Sequence, residues 1–330
     1  MNAHASDSRP DVTVVIVNWN GGDLLRQTLD SLYRETRRVR FETVVVDNAS
    51  TDESVAAVHG AFPDLRLILL PENRGFAAAN NRAFGQARGR YVLLLNSDTI
   101  VLPSTLPGLV GFLDAHPEAG CVGCRHLWPD GSLQPSIDSF PSLLKDFLCS
   151  SELRRAAWVL PFMRRHYPWW TDHDVTREVD WVNGSCLMVR REAISHTGGL
   201  DEGFFLYAEE IDWCYRMRQA GWLTFFTPDA EVVHIGGQST RHIADRRVAL
   251  LYRGQRRFYR KHYGGLQTAA LHGIISAIAV VRLGCLSAVY VATLFGTRAR
   301  RAGGELLTQE PLANDPATML RAWWTILTGR

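Results

Sequence analysis

Four short apolar runs in the first hundred residues constrain the fold more than any other feature of this chain. They read VTVVIV (12–17), TVVVD (43–47), LRLILL (65–70) and RYVLLL (90–95). Runs that are apolar on both faces are typical of buried strands in a parallel sheet. Segments with helical periodicity separate them, at 22–34, 52–60 and 75–88. This alternation predicts an α/β fold, with a doubly wound, mostly parallel sheet flanked by helices.

A polar segment follows each of these four runs. The segments read NWNGG (18–22), DNAST (47–51), PENRG (71–75) and NSDT (96–99). Ordinary turns favour the same residue types, so one such segment would indicate little. Four of them at the carboxyl ends of parallel strands predict a ligand crevice, because ligands of open α/β sheets bind there.

The residue types in this crevice favour a nucleoside diphosphate over a dinucleotide. No GxGxxG motif follows the first strand, which removes the main support for an oxidoreductase. Asn18, Asn20 and Asp47 suit hydrogen bonds to a base or ribose. Asp98 leaves a buried strand and suits Mg²⁺ or Mn²⁺ beside a diphosphate, although a helix cap would explain it equally well. His234, at the end of a distant apolar run, is a second metal ligand if the fold brings it to Asp98.

Composition and charge argue against a nucleic-acid-binding protein and against a disordered one. The net charge of +2 gives no strong positive field to attract nucleic acid, and the 46% of hydrophobic residues is enough for a substantial core. No apolar segment precedes the first strand, and we therefore expect no signal peptide and a cytoplasmic protein with free thiols. Cys121 and Cys124 form a lone CxxC near His126, for which buried thiols are a simpler explanation than zinc.

Seven segments in order along the chain carry a resemblance to a known family. They are VTVVIVNWNGGDLLRQTLDSL, VVVDNASTD, ENRGFAAANNRA, YVLLLNSDTIV, WVNGSCLMVRREAI, GGLDEGFFLYAEEIDWCYRMRQAGW and VVHIGGQST. Together they resemble family 2 glycosyltransferases, particularly the rhamnosyltransferase-like branch, over roughly 12–240. The resemblance implies a GT-A fold, a nucleotide-diphosphate sugar donor, a divalent metal (Mg²⁺ or Mn²⁺) and inversion at the anomeric carbon.

The resemblance also implies roles for individual residues. Asp47 would contact the nucleoside, and Asp98 would be the surviving carboxylate of a DxD-type metal motif whose first position is Asn96. His234 would approach the metal or the diphosphate. The residues predicted to contact the donor or its metal are Asn18, Asn20, Asp47, Asn48, Asn73, Gly75, Asn80, Asn96, Asp98 and His234.

The segment FFLYAEEIDWC (204–214) places three acids among aromatic side chains. Transfer to an acceptor hydroxyl needs a base whose pKa is raised, and apolar neighbours raise it. Asp212 has Arg216 four residues on, which predicts a structural salt bridge. Glu210 has no cation at such a spacing, and it also matches the catalytic position implied by the resemblance. We therefore rank Glu210 first as the base, then Asp212 and Glu209, and interpret the aromatic residues as walls of an acceptor site.

We expect two parts in the chain. Residues 1–240 would form the glycosyltransferase domain, with a nucleotide-binding half at about 12–125 and an acceptor half at about 126–240. Residues 241–330 would form a helical extension for membrane association or oligomerisation. A segment of interleaved Trp and Arg at 153–170 is either an acceptor-binding or membrane-contacting loop or a partly buried connection.

The extension begins with a basic amphipathic pattern at 246–263. Arg246, Arg253, Arg257 and Arg260 would share one face, and Val248, Leu251, Tyr252, Phe258 and Tyr259 another. The pattern suits a membrane surface, an anionic acceptor or plain packing on the core. The apolar stretch 273–295 is long enough to span a bilayer, but Arg282 at its centre favours an in-plane or oligomer-buried helix.

The sequence thus predicts an inverting glycosyltransferase of cell-envelope glycan synthesis, peripheral on the inner face of the membrane. Rhamnose from dTDP-rhamnose is the expected donor group, and a lipid-linked or polysaccharide molecule is the expected acceptor. An inactive carbohydrate-binding or scaffold protein of the same fold is one alternative. A sugar nucleotidyltransferase is another, but NWNGGDLLR lacks the Gly-rich basic loop expected there. A homo-oligomer is a further open alternative.

Overall fold

The computed structural model describes residues 9–62, 64–150, 173–236 and 244–294. The segment 153–170, predicted as an acceptor loop or a connection, lies outside the described residues. The strands are Val12–Asn18 (β1), Phe41–Asp47 (β2), Leu65–Leu69 (β3), Tyr91–Asn96 (β4), Thr99–Val101 (β5), Ala119–Leu127 (β6), Leu133–Gln134 (β7), Ile137–Asp138 (β8), Arg177–Val179 (β9), Trp181–Val182 (β10), Cys186–Arg190 (β11) and Leu223–His234 (β12). The helices are Asp23–Glu35 (α1), Ser54–Val58 (α2), Gly75–Phe84 (α3), Thr105–Ala115 (α4), Leu143–Ser150 (α5), Arg191–Thr197 (α6), Glu209–Gln219 (α7), Ala244–His262 (α8) and Gly264–Leu294 (α9).

The described strands form one large mixed sheet and a small two-stranded one. The main path of the large sheet runs β3-β2-β1-β4-β11-β6-β12-β5, with β7 beside β6 and β9 beside β12. The four strands predicted from the apolar runs are parallel to one another. Antiparallel β11 separates them from β6 and β12, which are again parallel to each other. The predicted α/β class is confirmed.

Burial on both faces explains the uninterrupted apolar runs. Val14 and Ile16 of β1 belong to one hydrophobic cluster with residues of α1 and α4. Val15, between them, belongs to a second cluster with residues of α3 and α7. Because side chains alternate along a strand, helices on both faces require an apolar residue at every position.

The strand register aligns the polar strand ends. Asn18 lies opposite Asp47, and Val17 lies opposite Asn96, so that β1, β2 and β4 end together. The pairing of β12 with β5 places His234 opposite Thr99, beside Asp98. The crevice predicted at the carboxyl ends therefore gains a contribution from a strand far along the chain.

Three elements differ from the sequence-based expectation. The helix expected at 75–88 ends at Phe84. The runs at 223–226 and 229–237 belong to one long strand, β12, whose register against β6 shifts between Thr227 and Glu231. A bulge absorbs the extra residues without ending the strand. The helix expected at 52–60 is shorter, Ser54–Val58, and Gly60 follows it with a φ of 78°.

The described residues form two compact units. The first comprises 9–140, 173–205 and 209–236, and the second comprises 141–150, 206–208 and 244–294. No observation tests the functional division that we expect at residue 240, and it stays a prediction.

In the second unit α9 packs on α8 and on α5. Phe258 and Tyr259 of α8 are buried, and the Tyr259 hydroxyl donates to Asp146 of α5. Leu251, predicted on the same apolar face, is 43% exposed. In α9, the segment Gly264–Gly284 is long and apolar enough to cross a membrane, with a mean hydropathy of 1.5.

Candidate active site

The first part of the candidate site is the polar edge, which we define as the ends of β1, β2 and β4 with the loops that follow them. Asn18 is fully buried, and its Nδ2 donates to Asp47 Oδ1 and Ser54 Oγ, each at 2.8 Å. Asp47 Oδ2 accepts from the backbone N of Ser50 at 3.0 Å. The Asp47 carboxylate is therefore held in place by a side-chain amide and a backbone amide before any ligand binds.

The loop after β1 is tied to the loop after β2. Asn20 adopts a left-handed backbone with a φ of 51°, which asparagine tolerates. Its Oδ1 accepts from the backbone N of Thr51 at 2.8 Å, and its own backbone N donates to Ser50 Oγ at 2.9 Å. Both sequence-predicted asparagines thus have partners within this edge.

A second hydrogen-bonded group surrounds the start of α3. Asn48 Nδ2 donates to Asn73 Oδ1 at 2.9 Å and to the Gly75 carbonyl at 3.2 Å, while Asn48 Oδ1 accepts from Arg74 N. Gly75 has a φ of 83°, and a Cβ there would lie 2.3 Å from the Phe205 carbonyl oxygen. Glycine is therefore required at this position.

Asn80, also predicted at the donor site, is buried within α3. Its Nδ2 donates to the Phe76 carbonyl at 2.9 Å, one helical turn earlier. Its predicted contact with a donor stays a prediction.

The structure brings Asp98 and His234 together, as the metal hypothesis requires. His234 Nε2 lies 3.3 Å from Asp98 Oδ1 and 3.4 Å from Asn96 Nδ2. The backbone N of Ile235 donates to the Asp98 carbonyl at 3.0 Å, which fixes the two chain segments relative to each other. Among the described residues no group of three or more His, Cys, Asp or Glu side chains forms a complete metal cage.

Two side chains and a bound diphosphate are nevertheless a suitable ligand set for Mg²⁺ or Mn²⁺. Such ions are commonly held by one or two carboxylates together with phosphate oxygens and water. Asp98 supplies one carboxylate oxygen and His234 one imidazole nitrogen, both at the edge where a diphosphate would lie. The residues present therefore fit a divalent ion whose coordination the donor completes.

Three residues behind His234 were not predicted from the sequence as site residues. Gln134 Oε1 lies 2.7 Å from His234 Nδ1, and His126 Nδ1 lies 3.3 Å from Ser185 Oγ. Burial, followed by the neighbouring His234 and His173, holds the pKa of His126 well below its usual value. His126 is therefore neutral at physiological pH.

One sequence signal could have located Gln134. Asp130 and Gly131 form a dipeptide typical of tight turns, and β7 pairs with β6 directly after this turn, with Gln134 opposite His126. Recognising the hairpin would have placed Gln134 near His126, but only the pairing of β12 with β6 brings His234 there.

The second part of the candidate site is the acid pair, Glu209 and Glu210, at the start of α7. Glu209 is buried and Glu210 half-buried, and the Oε2 atom of each is buried without a hydrogen-bond partner. Burial raises the pKa of Glu210 to about 7. Burial, and then the charge of Glu210, raises the pKa of Glu209 well above its usual value. Near neutral pH Glu210 is therefore divided between its protonated and ionised forms, and ionisation of Glu209 is disfavoured as well.

Asp212 has a different environment. It is fully buried, and its Oδ2 accepts from Arg216 Nε at 2.8 Å. Arg216 also donates to the carbonyls of Thr197 and Gly199. The predicted salt bridge is confirmed, and it ties α7 to the end of α6 and the residues after it.

The interpretation of the aromatic residues as acceptor walls is wrong for two of them. Phe204 and Trp213 are buried, and the Trp213 ring stacks on Phe84 with centroids 5.5 Å apart. The Trp213 ring is part of the hydrophobic core, because α7 buries one face against α3 and the sheet. Phe205 is 46% exposed.

One loop joins the polar edge to the acid pair. A Cβ added at Gly184 would lie 3.6 Å from Glu210 Cβ, so Glu210 stands beside this glycine. The carbonyl of the next residue, Ser185, accepts from the backbone N of Asn96 at 2.9 Å. Glu210 thus lies beside Gly184, and the next residue in the chain is hydrogen-bonded to Asn96 of the polar edge.

The CxxC pair lies inside the sheet. Cys121 and Cys124 are buried on β6, and the Cys121 Sγ lies 3.3 Å from Thr224 Oγ1. Burial and the neighbouring Cys186 raise the pKa of the Cys124 thiol well above its usual value. These cysteines are core residues, as the simpler sequence interpretation expected.

Comparison with known proteins identifies the family. The family model described as Glycosyl transferase family 2 matches residues 13–195. The chain belongs to glycosyl transferase family 2. It is 34% identical over 244 residues to N-acetylglucosaminyl-diphospho-decaprenol L-rhamnosyltransferase of Mycobacterium tuberculosis (strain ATCC 25618 / H37Rv), covering 69% of this chain and 76% of that one. It is 27% identical over 175 residues to rhamnosyltransferase WbbL of Escherichia coli (strain K12), covering 51% of this chain and 63% of that one.

Among solved structures, the chain is similar to mannosyltransferase PcManGT from Pyrobaculum calidifontis in complex with GDP-Man and Mn²⁺. The TM-score is 0.57 at 21% identity, and the match covers 98% of this chain and 89% of that one. The GT-A fold and the rhamnosyltransferase-like resemblance, both expected from the sequence, are confirmed. This protein is a glycosyltransferase of family 2.

Proposed function

We propose that this glycosyltransferase transfers rhamnose from dTDP-rhamnose, with inversion, to a lipid-linked or polysaccharide acceptor in cell-envelope glycan synthesis. The support for the sugar and the acceptor is the similarity to the rhamnosyltransferase of M. tuberculosis, whose name specifies a GlcNAc-diphospho-lipid acceptor. The support for the reaction is the local structure of the acid pair beside the polar edge.

The observation that carries the mechanism is the Glu210 carboxylate, whose Oε2 atom is buried without a hydrogen-bond partner. Its pKa of about 7 lets it accept a proton near neutral pH, and it stands beside Gly184 at the loop that contacts Asn96. A general base works best when its pKa lies close to the pH of the reaction. Glu210 is accordingly proposed as the base, and the buried salt bridge of Asp212 to Arg216 supports a structural role for Asp212.

The proposed step is a single displacement. Glu210 takes the proton of the acceptor hydroxyl while that oxygen forms a bond to the anomeric carbon. The bond from this carbon to the diphosphate oxygen breaks, and its electron pair leaves with dTDP. Attack opposite the leaving group inverts the anomeric configuration.

The leaving diphosphate carries charge that must be neutralised. A divalent ion, when bound, supplies this neutralisation as a Lewis acid. Asp98 and His234 would hold it, and Asp47 and its neighbours would bind the nucleoside. Asp47 and Asp98 lie at the polar edge, where the strands end together, and His234 lies 3.3 Å from Asp98.

A transfer assay with the full chain tests this proposal. dTDP-rhamnose, UDP-glucose and GDP-mannose are offered with a GlcNAc-diphospho-lipid acceptor and Mg²⁺ or Mn²⁺. We expect release of dTDP, a rhamnosylated lipid of inverted configuration, and loss of both with Asp98→Ala. Turnover with another donor would overturn the rhamnose assignment, and a retained configuration would overturn the single displacement. Nucleotide-sugar binding without transfer of any sugar would favour the inactive scaffold.

We also propose that the second unit holds the enzyme on the inner face of the membrane. Arg253, Arg256 and Arg260 of α8 are exposed, and exposed apolar side chains such as Leu266 lie in α9. Arg282 donates to the Ser150 carbonyl at 2.8 Å, which favours an in-plane α9 over a spanning one. Basic and apolar surface together suit an anionic leaflet.

Vesicle flotation tests this location. We expect binding to phosphatidylglycerol vesicles, little binding to phosphatidylcholine, and release by high salt. The double variant Arg253→Glu, Arg256→Glu should lose binding, while Arg26→Glu, on an exposed face of α1, should not. Resistance of the native membrane-bound enzyme to carbonate extraction would instead indicate a spanning helix. The proposed homo-oligomer stays a prediction.

A further inference from the structure

We propose that Gln134 is a positioning residue that fixes the tautomer and orientation of the His234 ring, so that Nε2 presents its lone pair to the metal site. The inference rests on the metal site of the proposed function and adds to it a residue from β7. Neither Gln134 nor its strand was among the residues predicted to form the site.

Gln134 holds His234 at two points. Its Nε2 donates to the His234 carbonyl at 3.3 Å, and its Oε1 lies 2.7 Å from His234 Nδ1. Because the donation to the carbonyl fixes which end of the amide faces the ring, the amide oxygen is the atom beside Nδ1. An amide oxygen only accepts hydrogen bonds, and Nδ1 must therefore carry the hydrogen.

The opposite side of the ring agrees with this assignment. A neutral imidazole with its hydrogen on Nδ1 has a lone pair on Nε2. Asn96 Nδ2, which can only donate, lies 3.4 Å from Nε2, and Asp98 Oδ1 lies 3.3 Å from it. In this tautomer His234 Nε2 and Asp98 Oδ1 are both acceptors, and the pair is therefore suited to hold a cation.

The fold makes Gln134 a rigid support. It is buried, while its neighbour Leu133 is exposed, as alternation on a strand requires. β7 pairs with β6, which places Gln134 opposite His126, and β6 pairs with β12, which carries His234. Gly236 closes the other side, since a Cβ there would lie 3.6 Å from Gln134 Nε2 and 3.2 Å from the Trp128 ring.

Hydrogen bonds behind a metal-binding histidine commonly change metal affinity 10- to 100-fold. We expect the same range for Gln134→Leu, which removes both hydrogen bonds at similar volume. Gln134→Glu keeps an acceptor for the Nδ1 hydrogen and should bind the ion within about threefold of the parent. A merely structural role for Gln134 would not separate these two variants in this order.

The measurement is Mn²⁺ binding to the full chain, followed through the electron paramagnetic resonance signal of free Mn²⁺ with dTDP, UDP or GDP present. Leu133→Ala, on the same strand, is the matched control and should bind like the parent, whereas His234→Ala should bind weakly. If Gln134→Leu binds Mn²⁺ like the parent while His234→Ala does not, Gln134 has no positioning role and the metal site stands. If His234→Ala binds like the parent, the metal assignment fails and this inference fails with it.

A second measurement uses the unaltered protein and does not depend on the folding of a variant. Nitrogen-15 histidine spectra of the metal-free chain at mildly alkaline pH distinguish the two neutral tautomers, and His234→Ala assigns the signal. We expect the hydrogen of His234 on Nδ1. Finding it on Nε2 would overturn the proposal.

Discussion

The polar edge and the acid pair differ in how their polar atoms are satisfied. At the polar edge, Asn18 Nδ2 donates to Asp47 at 2.8 Å and Asn48 Nδ2 donates to the Gly75 carbonyl at 3.2 Å, although Asn18 Oδ1 is buried without a partner. At the acid pair, the Oε2 atoms of Glu209 and Glu210 are buried without a partner. The Asp47 carboxylate is thus oriented by hydrogen bonds in the free enzyme, whereas one carboxylate oxygen of each glutamate is not.

The difference matches the two proposed tasks of these regions, which are to bind the donor and to accept a proton. Binding a donor in a fixed pose requires groups that are already oriented, since ordering them on binding would weaken the complex. Accepting a proton requires a carboxylate that the protein does not stabilise in its charged form. Further hydrogen bonds to the Glu210 carboxylate would make it a weaker base, and an Asp47 without its hydrogen bonds would be a less well oriented nucleoside ligand.

The largest expected effect comes from removing the charge of the acid pair. Glu210→Gln keeps the shape of the side chain but cannot accept the proton, and we expect kcat to fall about 10²- to 10⁴-fold. Glu209→Gln is the matched change at the neighbouring acid, whose pKa burial raises well above its usual value, and kcat should stay within about tenfold of the parent. Steady-state rates of dTDP release measure both, and full turnover by Glu210→Gln would remove the base assignment.

A substitution at Asp212 tests whether this third acid has a structural or a catalytic role. Asp212→Asn leaves Arg216 without its buried carboxylate, and we expect the free energy of unfolding to fall by about 3–5 kcal/mol. Urea denaturation measures the loss. A variant of parental stability with abolished turnover would exchange the roles of Asp212 and Glu210.

The pH dependence of stability and of turnover tests the raised pKa of Glu210 in the unaltered enzyme. Burial raises the pKa of Glu210 from 4.5 to about 7, and between these values the folded state binds more protons than the unfolded state. The free energy of unfolding should therefore decrease as pH rises through this window, by about 3 kcal/mol at most for this residue. Turnover should change in the opposite direction and rise with pH through about 7 as Glu210 ionises.

Denaturant titrations and kcat/KM profiles across this window measure both trends. Glu210→Gln should remove the contribution of Glu210 to this decrease and leave that of Glu209. The same pH dependence of stability in the parent and in Glu210→Gln would contradict the raised pKa of Glu210.

The smallest expected effect probes how rigid the polar edge is. Gly75→Ala would place a Cβ 2.3 Å from the Phe205 carbonyl at a left-handed backbone position. We expect a loss of about 1–3 kcal/mol in the free energy of unfolding and weaker donor binding. Gly85→Ala, at the end of the same helix in open space, is the control and should change stability by less than about 1 kcal/mol. Equal effects of the two changes would show that the turn at Gly75 is not a rigid part of the edge.

The sequence was sufficient for those parts of the site that depend on short-range pattern. Apolar runs predicted the parallel strands, and strand polarity then placed Asn18, Asp47 and Asp98 at one edge. The spacing of Asp212 and Arg216 predicted their salt bridge, because an i,i+4 pair on a helix needs no tertiary information.

Burial in the aromatic segment could not be assigned in the same way. Phe204, Phe205 and Trp213 are all large aromatic residues, yet Phe204 and Trp213 are buried and Phe205 is exposed. Trp213 is buried where α7 packs against α3. The side of a helix or loop that faces the core is decided by its neighbours, which the local sequence does not contain.

By itself, the sequence determined the α/β class, the family and the edge at which a ligand would bind, since these follow from periodicity, strand direction and ordered motifs. Only the tertiary structure decided that an oxygen of Glu209 and of Glu210 is buried without a partner, and only the pairing of β12 with β5 and β6 brought His234 to Asp98 and Gln134. A pKa depends on burial and on every charge and donor nearby, and these come from segments far apart in the chain. The raised pKa of Glu210 and the hydrogen bonds that hold His234 are therefore properties of the fold.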